Sequence, residues 1–127
     1  MLKVKVAIAD DHQAIRKGVR ELLEKLPEIT VVGEAEDGQE AIDIVISTEP
    51  DLLILDIQMP VMDGLEVIDY LHKTEVNVVI LVLSAIDDPG FIEEVLLKGA
   101  CFFIIKGDIP GLLRGVQQVL LGKCHVV

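Results

Sequence analysis

The stretch that decides the fold runs from Pro50 to Gly64 and reads PDLLILDIQMPVMDG. Its apolar residues Leu52 to Leu55 lead directly into a carboxylate at Asp56. A continuous apolar run of this length is typical of a strand buried on both faces, as in a parallel sheet covered by helices. A carboxylate is costly in such a strand unless it lies at the open end. The run therefore predicts a buried strand whose last residue, Asp56, emerges into a polar crevice.

Strand-like and helix-like segments alternate along the whole chain. The predicted strands are Val4–Ala9, Ile29–Ala35, Leu52–Asp56, Val78–Leu83 and Cys101–Ile105. Apolar residues recur at helical spacing after each strand, as in the first predicted helix at Ile15, Val19, Leu22, Leu23 and Leu26. Strict alternation predicts right-handed crossovers and a doubly wound α/β fold, a five-stranded parallel sheet with helices on both faces.

Helix ends also have sequence signals. Pro27 ends the first predicted helix. The fourth has Asp88 as an N-cap candidate, Pro89 in its first turn and Gly99 just past its end. These signals place the loops next to the strand ends.

Composition bounds the function. The 127 residues are the length of one domain, so we expect residues 1–127 to form a single domain without a DNA-binding output domain. With 22 acidic and 11 basic side chains, the net charge is −11, which argues against direct nucleic-acid binding by this chain. No apolar run reaches the roughly 18–20 residues of a membrane-spanning helix. We therefore expect a cytoplasmic protein that does not associate with membranes.

Polar side chains stand at the carboxyl ends of four predicted strands. They are Asp10 and Asp11 after strand 1, Asp56 at strand 3, Ser84 after strand 4 and Lys106 after strand 5. In an open parallel sheet, ligands bind beyond these ends, where the strand order reverses. The sequence therefore predicts that the five side chains share one crevice.

The predicted crevice has a specific chemistry. Two carboxylates 4 Å apart repel by about 4 kcal/mol at an effective dielectric constant of 20, so such a cluster either holds a proton or binds a divalent cation. An all-oxygen site open to water suits Mg²⁺. We expect His12, which follows the acidic pair, to be a surface residue at a helix start. An ammonium group and a hydroxyl beside a carboxylate indicate phosphoryl transfer, with the carboxylate as acceptor.

The motifs that carry these residues resemble those of the receiver domains of bacterial two-component response regulators. They are IADDH at 8–12, LLILDIQMPVMDG at 52–64, LSA at 83–85 and GACFFIIKGDIP at 99–110. The third motif is long and highly specific, and the resemblance runs essentially from end to end. It implies a flavodoxin-like fold with strand order 2-1-3-4-5.

The resemblance also implies roles at the acidic cluster. Asp56 is the implied phosphoacceptor and a ligand of Mg²⁺. Asp11 is implied as a direct Mg²⁺ ligand, Asp10 as a ligand through water, and the backbone carbonyl of Gln58 as a further ligand. These roles imply a signalling domain, not an enzyme, whose chemistry is limited to its own phosphorylation and dephosphorylation.

Further roles implied by the resemblance concern the switch. Lys106 would pair with the phosphoryl oxygens, and Ser84 would move to bond the phosphoryl group in the active state. Phe103 occupies the place of the family's rotating aromatic side chain.

Within the family, the sequence is most similar to receivers joined to a helix-turn-helix domain of the NarL/LuxR type. The similarity lies in DDH at 10–12 and in the tail residues Lys106, Pro110, Leu113 and Gly122. It implies a sensor histidine kinase as partner and homodimerisation on phosphorylation. A helix-turn-helix output domain is implied if the chain is a fragment; a stand-alone receiver is the alternative.

Three other functions are open at this stage. A Mg²⁺-dependent phosphatase of the haloacid-dehalogenase type also uses an aspartate nucleophile, although its D-x-D motif follows strand 1. A flavin-binding electron carrier shares the fold, although it needs a phosphate loop and aromatic rings. A receiver-like interaction module would have the fold without phosphorylation.

Phe102 departs from the family, which has a small residue there. Neighbouring strand residues point to opposite faces, so Phe102 should face the first and fifth helices while Phe103 faces the fourth. We expect Gly115, and also Gly111, to form a notch that receives the Phe102 ring.

Overall fold

The computed structural model describes residues 3–122. Its elements are β1 (Val4–Ala9), α1 (Gln13–Glu24), β2 (Ile29–Ala35), α2 (Gly38–Thr48), β3 (Leu52–Leu55), α3 (Gly64–Lys73), β4 (Val79–Ser84), α4 (Pro89–Leu97), β5 (Phe102–Ile105) and α5 (Ile109–Leu120). The strands form one sheet in the order β2-β1-β3-β4-β5, and every neighbouring pair is parallel. The predicted flavodoxin-like fold and strand order are confirmed.

The strand bounds differ from the prediction by one residue at several ends. β3 ends at Leu55 and not at Asp56, yet the Asp56 N–H still donates to the Ala9 carbonyl over 2.9 Å. Similarly, β5 begins one residue after Cys101, whose N–H donates to the Ile80 carbonyl over 2.9 Å. Both residues thus continue the hydrogen bonding of the sheet by one residue beyond the strand. Asp56 is therefore anchored by its backbone and free to direct its carboxylate into the crevice.

The sheet separates two apolar cores. Leu53 and Leu55 of β3 pack in the core on the side of α2, α3 and α4, whereas Leu52 and Ile54 pack in the core on the side of α1 and α5. All four side chains are at most 1% exposed. Burying each contributes roughly 1.5–3 kcal/mol. The strand that leads into the predicted phosphoacceptor Asp56 is thus completely buried.

Aspartate side chains cap most helices of the described chain. Those that accept a backbone N–H of the first helical turn are Asp37 for α2, Asp63 for α3, Asp88 for α4 and Asp108 for α5. Each such cap stabilises its helix by about 1 kcal/mol. The predicted cap at Asp88 is confirmed. Four acidic side chains outside the crevice therefore have a structural role.

The two adjacent phenylalanines of β5 diverge as predicted. Phe102 packs in the core beside α1 and α5, and Phe103 packs in the opposite core, where its ring meets Phe91 of α4 edge to face at 6.1 Å. A Cβ atom at Gly115 would lie 2.8 Å from Leu81 Cδ1 and 3.8 Å from Phe102 Cγ. Gly115 therefore makes room chiefly for Leu81 and also contacts the Phe102 ring.

The expected notch at Gly111 is wrong. A Cβ atom at Gly111 would collide with the carboxylate of Asp108, the residue that caps α5. Gly111 thus accommodates the helix cap and not the Phe102 ring. Both glycines are buried in α5, but the space beside Gly111 is taken by the Asp108 carboxylate.

Candidate phosphoacceptor and metal site

The predicted site residues meet at the carboxyl edge of the sheet. Asp10 follows β1, Asp56 follows β3, Ser84 ends β4 and Lys106 follows β5. Asp10 and Asp56 are each 2% exposed and Ser84 is fully buried. Because β1, β3, β4 and β5 are adjacent in that order, their ends converge as predicted from the alternation of elements.

Lys106 bridges the two buried carboxylates. Its Nζ atom lies 3.0 Å from Asp10 Oδ2 and 3.2 Å from Asp56 Oδ2. Within residues 3–122, neither of these oxygens has a hydrogen-bond partner, so the contacts with Lys106 act as ion pairs. One ammonium group offsets only one of the two negative charges. The cluster therefore keeps an excess of negative charge and oxygen acceptors that another cation can use.

Burial and charge shift the titration of this cluster. Burial raises the pKa of Asp56 above its ordinary value, and the negative charge of Asp10 raises it further, while Lys106 opposes both effects. Burial by itself lowers the pKa of Lys106, but its close contact with Asp10 and the charges of both carboxylates outweigh burial and raise it. Lys106 is therefore an ammonium group at neutral pH, and ionised Asp56 is held at a cost in free energy.

Asp11 forms the open side of the cluster. Its side chain is 34% exposed, and ligand atoms of Asp10, Asp11, His12 and Asp56 all lie within 4.8 Å of one another. Asp10 and Asp56 supply buried carboxylate oxygens whose charge Lys106 offsets only in part, and Asp11 supplies an acceptor in contact with solvent. A carboxylate-rich cluster that is partly open to water suits a divalent cation such as Mg²⁺. The residues present thus fit the predicted metal.

His12 has a closer relation to the acidic pair than the sequence indicated. Its side chain is 62% exposed and it is the N-cap residue of α1, as expected for a helix start. However, its Nδ1 atom lies 3.1 Å from both Asp10 Oδ1 and Asp11 Oδ1, and its N–H donates to Asp10 Oδ1 over 2.8 Å. The direct succession of the three residues was the available signal. His12 therefore helps to orient both carboxylates.

Gln58 and Ser84 have defined partners in this state. The Gln58 N–H donates to Asp56 Oδ1 over 3.3 Å, which orients the carboxylate; the ligand role of the Gln58 carbonyl stays a prediction. The Ser84 hydroxyl oxygen accepts the N–H of Ile86 over 3.1 Å. The buried hydroxyl is thus engaged with its own loop.

Close backbone approach shapes the loop between β3 and α3. A Cβ atom at Gly64 would lie 2.6 Å from the Asp56 carbonyl oxygen and 2.7 Å from Ile57 Cα. A Cβ atom at Gly38 would collide with the Met62 carbonyl. The missing side chain of Gly64 thus lets α3 start directly beside Asp56.

Arg16 is the site residue that the sequence analysis missed. It is 7% exposed and lies on the inner face of α1 with Val19 and Leu23. Its Nη1 group donates to the Asp10 carbonyl over 2.7 Å. The signal in the sequence was the spacing i, i+3, i+7 of Arg16, Val19 and Leu23, which places the arginine on the same helix face as two core residues. A charged group at such a position is buried only when it has polar partners.

Comparison with known proteins agrees with this geometry. Residues 6–116 match the family of the response regulator receiver domain, and the chain therefore belongs to this family. The match sets aside the phosphatase and flavin-carrier alternatives. It defines the chain as a receiver domain of two-component signalling.

Individual relatives show which type of response regulator this receiver domain belongs to. The nitrate/nitrite response regulator protein NarL of Escherichia coli is 36% identical over 119 residues, which are 93% of this chain and 55% of that protein. The signal receiver domain of the putative response regulator NarL from Mycobacterium tuberculosis superposes with a TM-score of 0.90 at 33% identity, over 96% of this chain and 99% of that one. The receiver is therefore of the NarL/LuxR type.

A third relative has been solved in a chemically informative state. The isolated receiver domain of RcsB from Salmonella enterica serovar Typhimurium, in the presence of the phosphomimetic BeF₃⁻, superposes with a TM-score of 0.86 at 29% identity. The match covers 94% of this chain and 90% of that one. The chain spans about half the length of the curated relatives that it matches. Within residues 3–122, no helix is long and apolar enough to cross a membrane.

Proposed function

We propose that the chain accepts a phosphoryl group on Asp56 from a sensor histidine kinase or a small phosphodonor, in a reaction that depends on Mg²⁺. The observation that carries this proposal is the position of the buried Asp56 carboxylate. Its Oδ2 atom lies 3.2 Å from Lys106 Nζ, and Asp56, Asp10 and Asp11 each offer a ligand atom within 4.8 Å of the others. Such a carboxylate is activated by position and charge neutralisation, which is what phosphoryl transfer requires. Asp10 and Asp56 are both buried carboxylates at strand ends, and membership of the receiver family supports Asp56 as the acceptor.

The proposed phosphoryl transfer requires no acid or base from the protein. An Asp56 carboxylate oxygen attacks phosphorus, and the new P–O bond forms as the P–N bond to the donor imidazole breaks. The imidazole nitrogen keeps the electron pair of that bond and takes a proton from solvent. Lys106 stays an ammonium group and pairs with the developing negative charge on the phosphoryl oxygens.

Asp10, Asp11, Asp56 and the Gln58 carbonyl would hold the cation. When bound, Mg²⁺ supplies the positive charge that the cluster lacks and reduces the repulsion between the carboxylates and an incoming phosphoryl group. His12 and Gln58 already orient the acidic side chains through backbone N–H groups. The protein thereby positions its ligands before the cation arrives.

The phosphorylated state would be read through Ser84 and Phe103. The Ser84 hydroxyl would release the Ile86 N–H and bond the phosphoryl group, which pulls in the loop after β4. Phe103 pairs with Val82 of β4 and packs against Phe91 of α4, so it lies between the strand that ends at Ser84 and the helix that follows it. Its rotation is the proposed link to an output surface.

The proposed biological setting is a cytoplasmic pathway. The partner that supplies the phosphoryl group is a sensor histidine kinase, and phosphorylation promotes homodimerisation. The receiver domain is proposed to span residues 1–127 and to act as a signalling domain, not as an enzyme on other substrates. In a longer protein, a helix-turn-helix output domain would supply the DNA contacts that this acidic chain does not make.

Intact mass spectrometry tests the proposal. The protein is incubated with MgCl₂ and acetyl phosphate, and we expect the mass to rise by one phosphoryl group. The gain should be absent in Asp56→Asn and retained in the control Asp43→Asn, which changes an exposed carboxylate of α2. Labelling that persists in Asp56→Asn excludes Asp56 as acceptor. An unlabelled wild type would instead favour a non-phosphorylated interaction module.

A further inference from the structure

A buried arginine holds the backbone of the acidic pair. Arg16 donates from Nη1 to the Asp10 carbonyl over 2.7 Å, and this hydrogen bond is itself buried. The Nε group of the same guanidinium donates to Glu34 Oε1 over 3.3 Å, and its Nη2 atom lies 3.5 Å from Glu36 Oε1. The guanidinium therefore connects the turn after β1 with the end of β2 and the loop that follows it.

The Asp10 main chain has both of its polar groups engaged. Its N–H donates to the Ala35 carbonyl of β2 over 3.0 Å, and its carbonyl accepts the hydrogen bond from Arg16. The carbonyl group belongs to the peptide unit that joins Asp10 to Asp11. Fixing this unit fixes the direction in which the chain enters Asp11 and the relative orientation of both carboxylates.

We propose that Arg16 is a positioning residue for the divalent cation, acting through the Asp10–Asp11 peptide unit. The inference rests on the proposed Mg²⁺-dependent function. Arg16 contacts the backbone and not the predicted ligand oxygens, so its effect on the cation is indirect. Groups that orient metal ligands in this way typically change metal affinity 10- to 100-fold when they are removed.

The guanidinium geometry explains why an arginine stands here. A planar guanidinium presents several N–H groups in fixed directions, so Arg16 reaches the Asp10 carbonyl, Glu34 and Glu36 at the same time. A lysine has one compact ammonium group and does not span these partners. The role therefore depends on shape as well as on charge.

The direction of the change in Mg²⁺ affinity distinguishes a positioning role of Arg16 from an effect of its charge. The positive charge of Arg16 repels a cation, so its removal by itself should tighten Mg²⁺ binding. Loss of the hydrogen bond to Asp10 should weaken binding instead, because the carboxylates lose their arrangement. The two effects have opposite signs, and the direction of the measured change identifies the larger one.

Arg20 offers a matched control on the same helix. Its Nη1 atom pairs with Glu34 Oε2 over 2.6 Å, so it shares the carboxylate that Arg16 uses. Its other acidic partner is Glu24, one turn along α1, and its contacts do not include Asp10. The variant Arg20→Met therefore removes a positive charge and a Glu34 contact but leaves the proposed positioning bond in place.

The experiment is a titration with MgCl₂ of ¹⁵N-labelled protein, followed by the amide resonances near Asp11 and Asp56. Wild type, Arg16→Met, Arg16→Lys and Arg20→Met are compared below their melting temperatures, and the spectra confirm that each is folded. We expect Arg16→Met and Arg16→Lys to bind Mg²⁺ about tenfold more weakly. Arg20→Met should bind as tightly as wild type or slightly more tightly.

The alternative outcomes show whether the positioning role of Arg16 alone is overturned or the proposed function as well. If Arg16→Met binds Mg²⁺ as tightly as wild type or more tightly, the positioning role is overturned while the proposed function stands. If Arg16→Met does not fold, Arg16→Lys carries the test, and full affinity in that variant overturns the role of the guanidinium geometry. A wild type that shows no response to Mg²⁺ overturns both the positioning role and the proposed function.

Discussion

The ammonium nitrogen of Lys106 lies 3.2 Å from Asp56 Oδ2 inside the protein. The same nitrogen lies 3.0 Å from Asp10 Oδ2, so one positive charge serves two buried carboxylates. The free domain therefore carries an electrostatic cost in the place where its proposed chemistry occurs. A cation or a neutralising substitution should relieve that cost.

Replacing Asp56 by Asn should stabilise the metal-free protein by about 1 kcal/mol. The substitution removes the excess negative charge, and Lys106 keeps Asp10 as a partner, so no buried charge is left alone. Urea unfolding in the presence of a chelator measures the change. The control Asp43→Asn should leave the free energy of unfolding nearly unchanged, and a loss of stability in Asp56→Asn would contradict the crowded-charge account.

The pH dependence of this difference has a definite sign. Burial raises the native pKa of Asp56 above the value of 3.8 that we take for the unfolded chain. Between these two pKa values the unfolded state has released the proton and the native state has not, so the contribution of Asp56 to stability falls as pH rises. The advantage of Asp56→Asn should therefore be small in acid and reach its full value above the native pKa. Unfolding curves from acid to neutral pH test this, and a constant difference would refute it.

Mg²⁺ affinity should depend more on Asp11 than on Asp10. Asp11 lies on the open side of the cluster, whereas Asp10 is already paired with Lys106. We expect Asp11→Ala to weaken Mg²⁺ binding by about tenfold or more, and Asp10→Ala to weaken it less. The titration with MgCl₂ described above provides the measurement. Equal losses in the two variants would contradict the assignment of Asp11 as the direct ligand.

The lifetime of the phosphorylated state should depend on Ile86. This residue is half-buried in the loop after β4, two positions beyond Ser84. Its branched apolar side chain should hinder the water that hydrolyses the acyl phosphate, so Ile86→Ala should lose phosphate severalfold faster. The decay of the phosphorylated mass after removal of acetyl phosphate gives the rate. An unchanged rate would show that Ile86 does not shield the site.

Overpacking at Gly115 should destabilise the domain. A Cβ atom there would lie 2.8 Å from Leu81 Cδ1, and Leu81 is fully buried. We expect Gly115→Leu to lower the free energy of unfolding by roughly 1–3 kcal/mol. The matched substitution Gly18→Leu, in α1 with no atom within 4 Å of its Cβ position, should instead stabilise by about 1 kcal/mol through helix propensity. Stabilisation in both variants would exclude the close contact with Leu81.

Several features were predictable because their signals are local. The Asp88 cap, the Pro89 start of α4 and the opposite faces of Phe102 and Phe103 follow from side-chain chemistry and strand geometry within a few residues. The prediction for Gly111 also used a local signal, and it was wrong. Its spacing from Gly115 suggested a shared helix face, but a contact with Asp108 within its own turn takes the space.

The sequence by itself determined the order of strands and helices, and with it the meeting of Asp10, Asp56, Ser84 and Lys106 at one edge. Hydrophobic periodicity and the handedness of crossovers suffice for this, because parallel strands bring their carboxyl ends to the same side. Only the tertiary structure decided that Lys106 divides its charge between two carboxylates and that Arg16 holds the Asp10 carbonyl. Lys106 is distant along the chain from Asp10 and Asp56, and Arg16 reaches the Asp10 carbonyl across the turn between β1 and α1, so the packing of these elements and not a local sequence signal selects the partners.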